Sequence, residues 1–170
     1  MVNLRALHPG DAQALTRVYS GASVWHTTGR ALTFEQAQDK IRTALARAAE
    51  TPRAQWSWGI RAEDEMIGLI ALRRRAPTMG TISYILREDT WGNGYATDAA
   101  QQAVAFAFTT AGLDRLEAMH HPANPASGRV LAKTGFTRTG THEGQAVDGS
   151  TVSYVVYTLQ PPATPSADRC

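Results

Sequence analysis

Arg87-Glu88-Asp89-Thr90-Trp91-Gly92-Asn93-Gly94-Tyr95-Ala96-Thr97 joins a strand pattern, Thr81 to Leu86, to a helical pattern running from about Ala96 to Ala111. Glycine accepts backbone dihedrals closed to other residues, so Gly92 and Gly94 let the chain curl just before the helix. The curl gathers amide hydrogens into one concavity, backed by a helix N-terminus carrying about half an elementary charge. Such a cradle holds a diphosphate without lysine or arginine, and Thr97 can add a hydroxyl donor. A plain strand-to-helix turn uses glycines in the same way, so the loop alone leaves both readings open. Two other nucleotide loops fit poorly. The dinucleotide fingerprint wants glycine or alanine where Thr97 stands, and a Walker loop wants a Gly-Lys-Ser/Thr ending that is missing here.

Outward from the loop, the period of the sequence changes twice. Upstream, Val2 to Ala6 reads as a strand, and Asp11 is placed to cap a helix running to Tyr19. Gly21 to Leu32 reads as a loop. Thr33 and Gln36 form a capping box before a helix with Ala37, Ile41, Ala44, Leu45 and Ala48 on one stripe. Gln55 to Arg61 and Met66 to Arg73 then read as a hairpin. Downstream come a strand from Leu113 to His120 and a short helix from Ala126 to Thr134. Strands from Phe136 to Ala146 and Thr151 to Leu159 follow, around the turn Asp148-Gly149. Strands alternate with helices only in the second half, which predicts a mixed α/β (α+β) sheet with one right-handed parallel crossover. Residues 1–160 form a single expected domain, and the proline-rich 161–170 a disordered tail.

Composition narrows the class. Hydrophobic residues make up 43% and charged residues 19%, an ordinary soluble balance. No apolar run has the length of a membrane span, and no signal core opens the chain. The only cysteine is Cys170, which excludes an internal disulfide or a cysteine-rich metal cluster. A cytoplasmic location is therefore expected. The net charge of +2 gives no strong nucleic-acid signal. The densest basic run, Arg73-Arg74-Arg75, reads either as a solvated strand end or as a contact for an acidic group.

A second segment adds to the loop: Pro122-Ala123-Asn124-Pro125-Ala126-Ser127-Gly128-Arg129-Val130-Leu131-Ala132-Lys133-Thr134-Gly135-Phe136. Loop and segment together resemble the GNAT N-acetyltransferase superfamily, and within it the RimJ/RimL branch of ribosomal-protein N-terminal acetyltransferases. That branch often reads Tyr-Trp-Gly-x-Gly-Tyr-Ala-Thr-(Glu/Asp)-Ala, then Asn-Pro-Ala-Ser-x-x-Val-Leu-x-Lys-x-Gly-Phe. The resemblance implies the GNAT fold: a central sheet of about seven strands with a V-shaped splay between its middle strands, flanked by about four helices. It implies acetyl-CoA as co-substrate, bound by Trp91, Gly92, Asn93, Gly94, Tyr95, Ala96 and Thr97, with unpaired backbone near Leu86 and Arg87 for the pantetheine arm. Asn124 would hold that arm or a water. Arg129 and Lys133 share a helix face toward the cofactor phosphates, or are merely solvated.

Acyl transfer needs a neutral amine and a stabilised leaving thiolate. The tyrosine that many relatives use as acid is replaced here by Leu131, and the branch's serine maps onto Ser127, which could equally cap the helix. Tyr84, beside the expected thioester, is a further catalytic candidate. Glu143 is the candidate base, in a register that could instead bring Gln145 into play. Trp25, His26, Glu117 and His120 are candidate acceptor contacts. His120 and His121 point to opposite faces of their strand. Trp56 and Trp58 share a strand face and read as core or as pocket wall. Expected partners are acetyl-CoA, an amine acceptor (a protein N-terminus or a small molecule) and a second copy in a homodimer, with no membrane. Two other classes stay open: a non-catalytic acyl-CoA-binding module, and a transferase using aminoacyl-tRNA or an acyl carrier.

Overall fold

The strand patterns all enter one seven-stranded sheet in the computed structural model, which describes residues 1–163. In chain order the elements are β1 (Asn3–Ala6), α1 (Ala12–Val18), α2 (Phe34–Ala48), β2 (Gln55–Ala62), β3 (Glu65–Ala76) and β4 (Met79–Leu86). They continue with α3 (Tyr95–Thr109), β5 (Arg115–His120), α4 (Pro125–Lys133), β6 (Thr137–Gln145) and β7 (Thr151–Leu159). The expected mixed α/β class is what the chain adopts. Short 3-10 turns occupy Pro9–Asp11, Gly21–Val24 and Glu88–Thr90, so the segment read as a loop after Ser20 carries a helical turn. Of the expected tail, Pro161 to Ala163 lie in no regular element, and 164–170 fall outside the described residues.

Local chemistry explains most of these boundaries. Thr33 and Gln36 make both bonds of the capping box, Gln36 N to Thr33 Oγ1 at 3.2 Å and Thr33 N to Gln36 Oε1 at 3.0 Å. Asp11 departs from expectation. It makes no cap bond to α1; its carboxylate instead accepts from the His8 amide at 2.9 Å and from Arg5 at 2.6 Å. The positive end of α1 is thus left without a side-chain cap, while β1 is tied to the turn that follows it.

The sheet order is β1-β2-β3-β4-β5-β7-β6. One face is covered by α3 and α4. There Ala99, Ala103 and Ala107, four residues apart, are fully buried and let α3 lie close on Ile70, Leu72 and Leu116. Trp56 and Trp58 pack edge-on against Phe106 of α3, with ring centroids 5.7 and 5.0 Å away. Of the two readings of that pair, core packing is the one the fold adopts. The other face is covered by α1 and α2 over β2 to β4, where Leu15, Val18, Ala37 and Ile41 meet Leu69 and Ile85.

Only β4 and β5 run parallel, and their ladder is short: Met79↔Arg115, Gly80↔Leu116, Thr81↔Glu117. Beyond Thr81 the strands part. β4 stays paired with β3 as far as Leu86, and β5 with β7 as far as His120. The result is a gap that opens toward the carboxyl ends of both strands.

Gly68 of β3 lines up with Leu86 at the open end of this gap. A Cβ there would lie 2.5 Å from the Ile85 carbonyl oxygen and 2.5 Å from Leu86 Cδ2. Replacing a strand glycine by alanine ordinarily stabilises by removing chain entropy from the unfolded state. Here the backbone contact reverses the sign, and Gly68→Ala is expected to cost about 1–3 kcal/mol in urea unfolding, as overpacking does. Unchanged or increased stability would contradict the close approach of β3 and β4.

Candidate active site

The backbone around the gap follows the antiparallel alternation of β3 and β4. Arg87 N donates to Ile67 O at 2.8 Å, so odd-numbered residues of β4 face β3. Tyr84 and Leu86 therefore present their N–H and C=O groups to the side where β5 has departed. The Leu86 carbonyl is already occupied: Ser23 Oγ donates to it at 2.6 Å and Trp91 Nε1 at 3.2 Å. Arg87 contributes nothing to the gap. Its carbonyl accepts from Thr90 N and Oγ1, and its guanidinium pairs with Asp89 at 2.6 Å and Glu65 at 3.1 Å. Of the two positions expected to offer free backbone, the geometry leaves the Leu86 N–H and the Tyr84 groups, and takes Arg87 away.

The glycine loop lies directly beyond. Gly92 and Gly94 have φ of +82° and +78°, and a side chain at either would meet nothing within 4 Å, so conformation rather than space calls for glycine. Asn93 Nδ2 staples the loop to the carbonyls of Thr90 at 3.0 Å and Trp91 at 3.3 Å. Gly94 is the N-cap of α3, its carbonyl accepting from Asp98 N at 3.1 Å. The amides of Tyr95, Ala96 and Thr97 in the first turn have no acceptor within the helix. The carboxylate in that turn, Asp98, is tied to Val2 N at 2.7 Å and to Gln102 at 3.1 Å. Exposed Arg129 and Lys133 on α4 make no ion pair among the described residues, and α4 packs beside α3. The Asn124 side chain makes no cap bond; only its backbone is used, by His121 O and Ser127 N.

Where the gap closes against α4, hydroxyl groups gather. Tyr84 Oη lies 2.9 Å from Ser127 Oγ and donates to Ser127 O at 3.2 Å. Asn124 is the N-cap of α4 and Ser127 is inside its first turn, so Ser127 bonds Tyr84 and not the helix backbone. The capping reading of Ser127 is thereby excluded. Burial pushes the Tyr84 phenol up to about 12; the Ser127 bond works against this and Tyr157 adds to it. Tyr84 is therefore a neutral donor at neutral pH. His120, 8% exposed, donates from Nδ1 to His121 O at 2.8 Å, leaving Nε2 as the acceptor nitrogen. That nitrogen faces Gly128, where a Cβ would come within 2.7 Å of it and 3.0 Å of Tyr157 Oη.

On the opposite face, His26 and His121 stack with centroids 4.5 Å apart, and Tyr154 meets His121 edge-on at 5.9 Å. Burial, and then the neighbouring His121, hold His26 below the usual imidazole range. His121 Nδ1 accepts from Ala123 N at 3.0 Å, which puts the proton of the neutral ring on Nε2. Gly29 sits against Val147 so closely that a Cβ would lie 2.9 Å from Val147 Cγ1. The loop after Val24 and the β6–β7 turn thus form one rim.

Comparison with known proteins now bears on this arrangement. The family model described as "Acetyltransferase (GNAT) domain" matches residues 2–137. The chain belongs to the GNAT acetyltransferase family. This acetyltransferase is 30% identical over 141 residues to an uncharacterized N-acetyltransferase, YoaA, of Bacillus subtilis (strain 168), covering 81% of this chain and 80% of that protein. Its fold matches Mycobacterium smegmatis RimJ in complex with a coenzyme A disulfide, with a TM-score of 0.80 at 22% identity over 96% and 84% of the two chains. It also matches RimL, a ribosomal L7/L12 alpha-N-protein acetyltransferase in complex with coenzyme A, with a TM-score of 0.82 at 17% identity over 94% and 93%.

The remaining expected residues of this GNAT protein distribute unevenly. Glu117 is the ladder partner of Thr81 at the closed end of the gap, held by Arg115 at 2.9 Å, and so not at the opening. Glu143 is exposed on the edge strand β6, opposite Ser153 of β7 and bonded to its Oγ. His120 turns behind α4, and it is His121 that reaches the rim with His26. Trp25, 71% exposed, lies beside that stack in sequence. Leu131 is 1% exposed within the main core, so no donor sits at that place. Ser23, Tyr154 and Tyr157 carried no sequence signal, because their roles depend on contacts across distant elements.

A measurement on Tyr84 tests the geometry of the hydroxyl pair. In a tyrosine ¹³C NMR titration, with the resonance assigned by Tyr84→Phe, Tyr84 should remain a phenol at about pH 10, where an ordinary tyrosine is half ionised. The sign for stability follows from the raised value. The native state keeps the proton that the unfolded chain loses, so this group's contribution is complete below about pH 10 and is lost as pH rises toward about 12. A Tyr84 midpoint at the ordinary value would contradict the buried pair.

Proposed function

We propose that this protein transfers the acetyl group of acetyl-CoA to a primary amine by direct attack on the thioester. One observation carries the reading: the free first-turn amides of α3 follow the end of the same unpaired stretch of β4 on which Tyr84, bonded to Ser127, stands. In this reading the amides of Tyr95, Ala96 and Thr97 hold the diphosphate, and the Leu86 N–H and Tyr84 backbone receive the pantetheine. The Ser127 hydroxyl then faces the leaving sulfur. Asn124, with its side chain free, is suited to the pantetheine arm, and Arg129 and Lys133 to the outer phosphates.

The acid step is better described as hydrogen bonding than as proton transfer. A thiol has a pKa near 8.5, and Tyr84 is at about 12, so the thiolate would not take the phenolic proton. When Tyr84 turns its one proton from the Ser127 carbonyl to Ser127 Oγ, the serine proton is free to point at the sulfur, and this relay of neutral donors stabilises the developing charge in a water-poor site. The amine supplies the proton inventory, since it loses one proton as the amide forms.

An α-amine is the acceptor we favour. With a pKa near 8, about a tenth of it is neutral at pH 7, whereas a lysine amine near 10.4 needs a strong base. Among the described residues no carboxylate bonds the Tyr84–Ser127 pair, and Glu117 and Glu143 are engaged elsewhere. His26, kept neutral beside His121, is suited to accept the proton at the rim. RimL's description as an α-N-protein acetyltransferase agrees with this choice.

Thiol release from acetyl-CoA with a panel of α-amino peptides and small amines tests the proposal. Ser127→Ala should lower kcat by about 10²-fold or more while coenzyme A binding persists. Adding Tyr84→Phe should cost little further, because the two hydroxyls act as a unit. Thiol release that is unaffected in Ser127→Ala would overturn the donor role. Tight coenzyme A binding with no release for any amine would instead favour an acyl-CoA-binding module.

A further inference from the structure

The face of the sheet covered by α2 carries positive charge that no carboxylate among the described residues pairs with. Lys40 and Arg47 on α2 and Arg73 on β3 border a cavity of about 360 Å³, together with Gln55 and Ser57. The floor is apolar, formed in part by Leu15 and Ile41. Arg47 donates to Gln55 Oε1 at 3.1 Å and Arg73 to Ser83 Oγ at 2.7 Å. Lys40 Nζ rests over the Tyr19 ring, 5.1 Å from its centroid. Each cation is thus steered by a neutral group, and none has a carboxylate partner among the described residues. The carboxylate adjacent to Lys40 on α2, Asp39, is paired with Arg42.

Two features distinguish this cluster from an ordinary solvated face. Burial, followed by the charge of Arg75, lowers the Arg73 value while Tyr19 works against this, and burial followed by Arg73 lowers that of Lys40. Beneath Lys40, Tyr19 is only 6% exposed, and its hydroxyl makes no hydrogen bond among the described residues. Like charges held together beside an unbonded hydroxyl leave a surplus of donors: three on the ammonium and four remaining on each guanidinium. An anion offering several acceptor oxygens would use that surplus, and planar guanidiniums with a lysine suit phosphate geometry. The volume lies within the range of small-molecule sites.

We propose that this cavity binds a small organic phosphate, its dianionic head on Lys40, Arg47 and Arg73 and its body on the apolar floor. The site is separate from the acetyl-transfer gap. Arg73 is the ladder partner of Thr81, where β4 and β5 are still joined, and it points toward α2, whereas Tyr84 points toward α4.

Isothermal titration of phenyl phosphate into protein saturated with coenzyme A tests this, because saturation removes the α3 amides from competition. Expected is saturable binding, weakened roughly tenfold or more in Arg73→Gln and in Lys40→Gln, as loss of one charge-assisted bond implies. Coenzyme A affinity retained in both variants shows that they fold. Phenol should not bind, and benzoate, with a single charge, should bind more weakly. Absence of saturable phenyl phosphate binding, equal affinity in the variants, or benzoate binding as tightly as phenyl phosphate would each overturn the proposal.

Discussion

Parallel pairing of β4 with β5 ends after three residue pairs, and the rest of the site depends on that interruption. Buried backbone N–H and C=O groups are costly to leave without partners. A sheet that opens in its middle must therefore cover those groups with side chains, solvent or ligand. Ser23 and Trp91 cover the Leu86 carbonyl. What they do not cover, on Tyr84 and Leu86, is an extended edge of the kind an extended amide-bearing chain can join. The arm of coenzyme A has that character, which is why we place the proposed reaction there.

The opening is sustained by packing on both sides. The alanine stripe of α3 brings the helix close to the sheet, so that its N-terminus sits beside the departing end of β4. On the far side, β7 holds β5 through His120, and α4 returns over the sheet to bring Ser127 against Tyr84. Among the described residues no carboxylate bonds the hydroxyl pair, and the candidate carboxylates Glu117 and Glu143 are spent on Arg115 and Ser153. Neutral donors in a region of low water content stabilise a thiolate while requiring little desolvation of their own. Formal charge collects instead on the α2 side, around Lys40 and Arg73.

Much of this was legible in the sequence, and the parts that were not share one cause. The glycine loop, the capping box at Thr33, and the strands from Gln55 to Leu86 follow from local dihedral preference and periodicity, and they fold as read. Ser127 was singled out by the resemblance of its segment to the RimJ/RimL pattern, and its bond to Tyr84 had no local signal. Where Glu117, Glu143 and His120 stand in the fold was hidden by the same unknown: which strands are neighbours, and in what register. The order β5-β7-β6 puts β6, and Glu143 with it, at the sheet edge, and no local pattern encodes that order. Asp11 illustrates the smaller version, a good capping residue taken by Arg5 and His8.

A crystal structure with coenzyme A bound is the most direct test of the central claim. The account predicts diphosphate oxygens on the amides of Tyr95, Ala96 and Thr97, the pantetheine arm along Tyr84 and Leu86, and the sulfur facing Ser127 Oγ. A diphosphate bound anywhere else, the Lys40–Arg73 cavity included, or a pantetheine lying outside the β4–β5 gap, would contradict it.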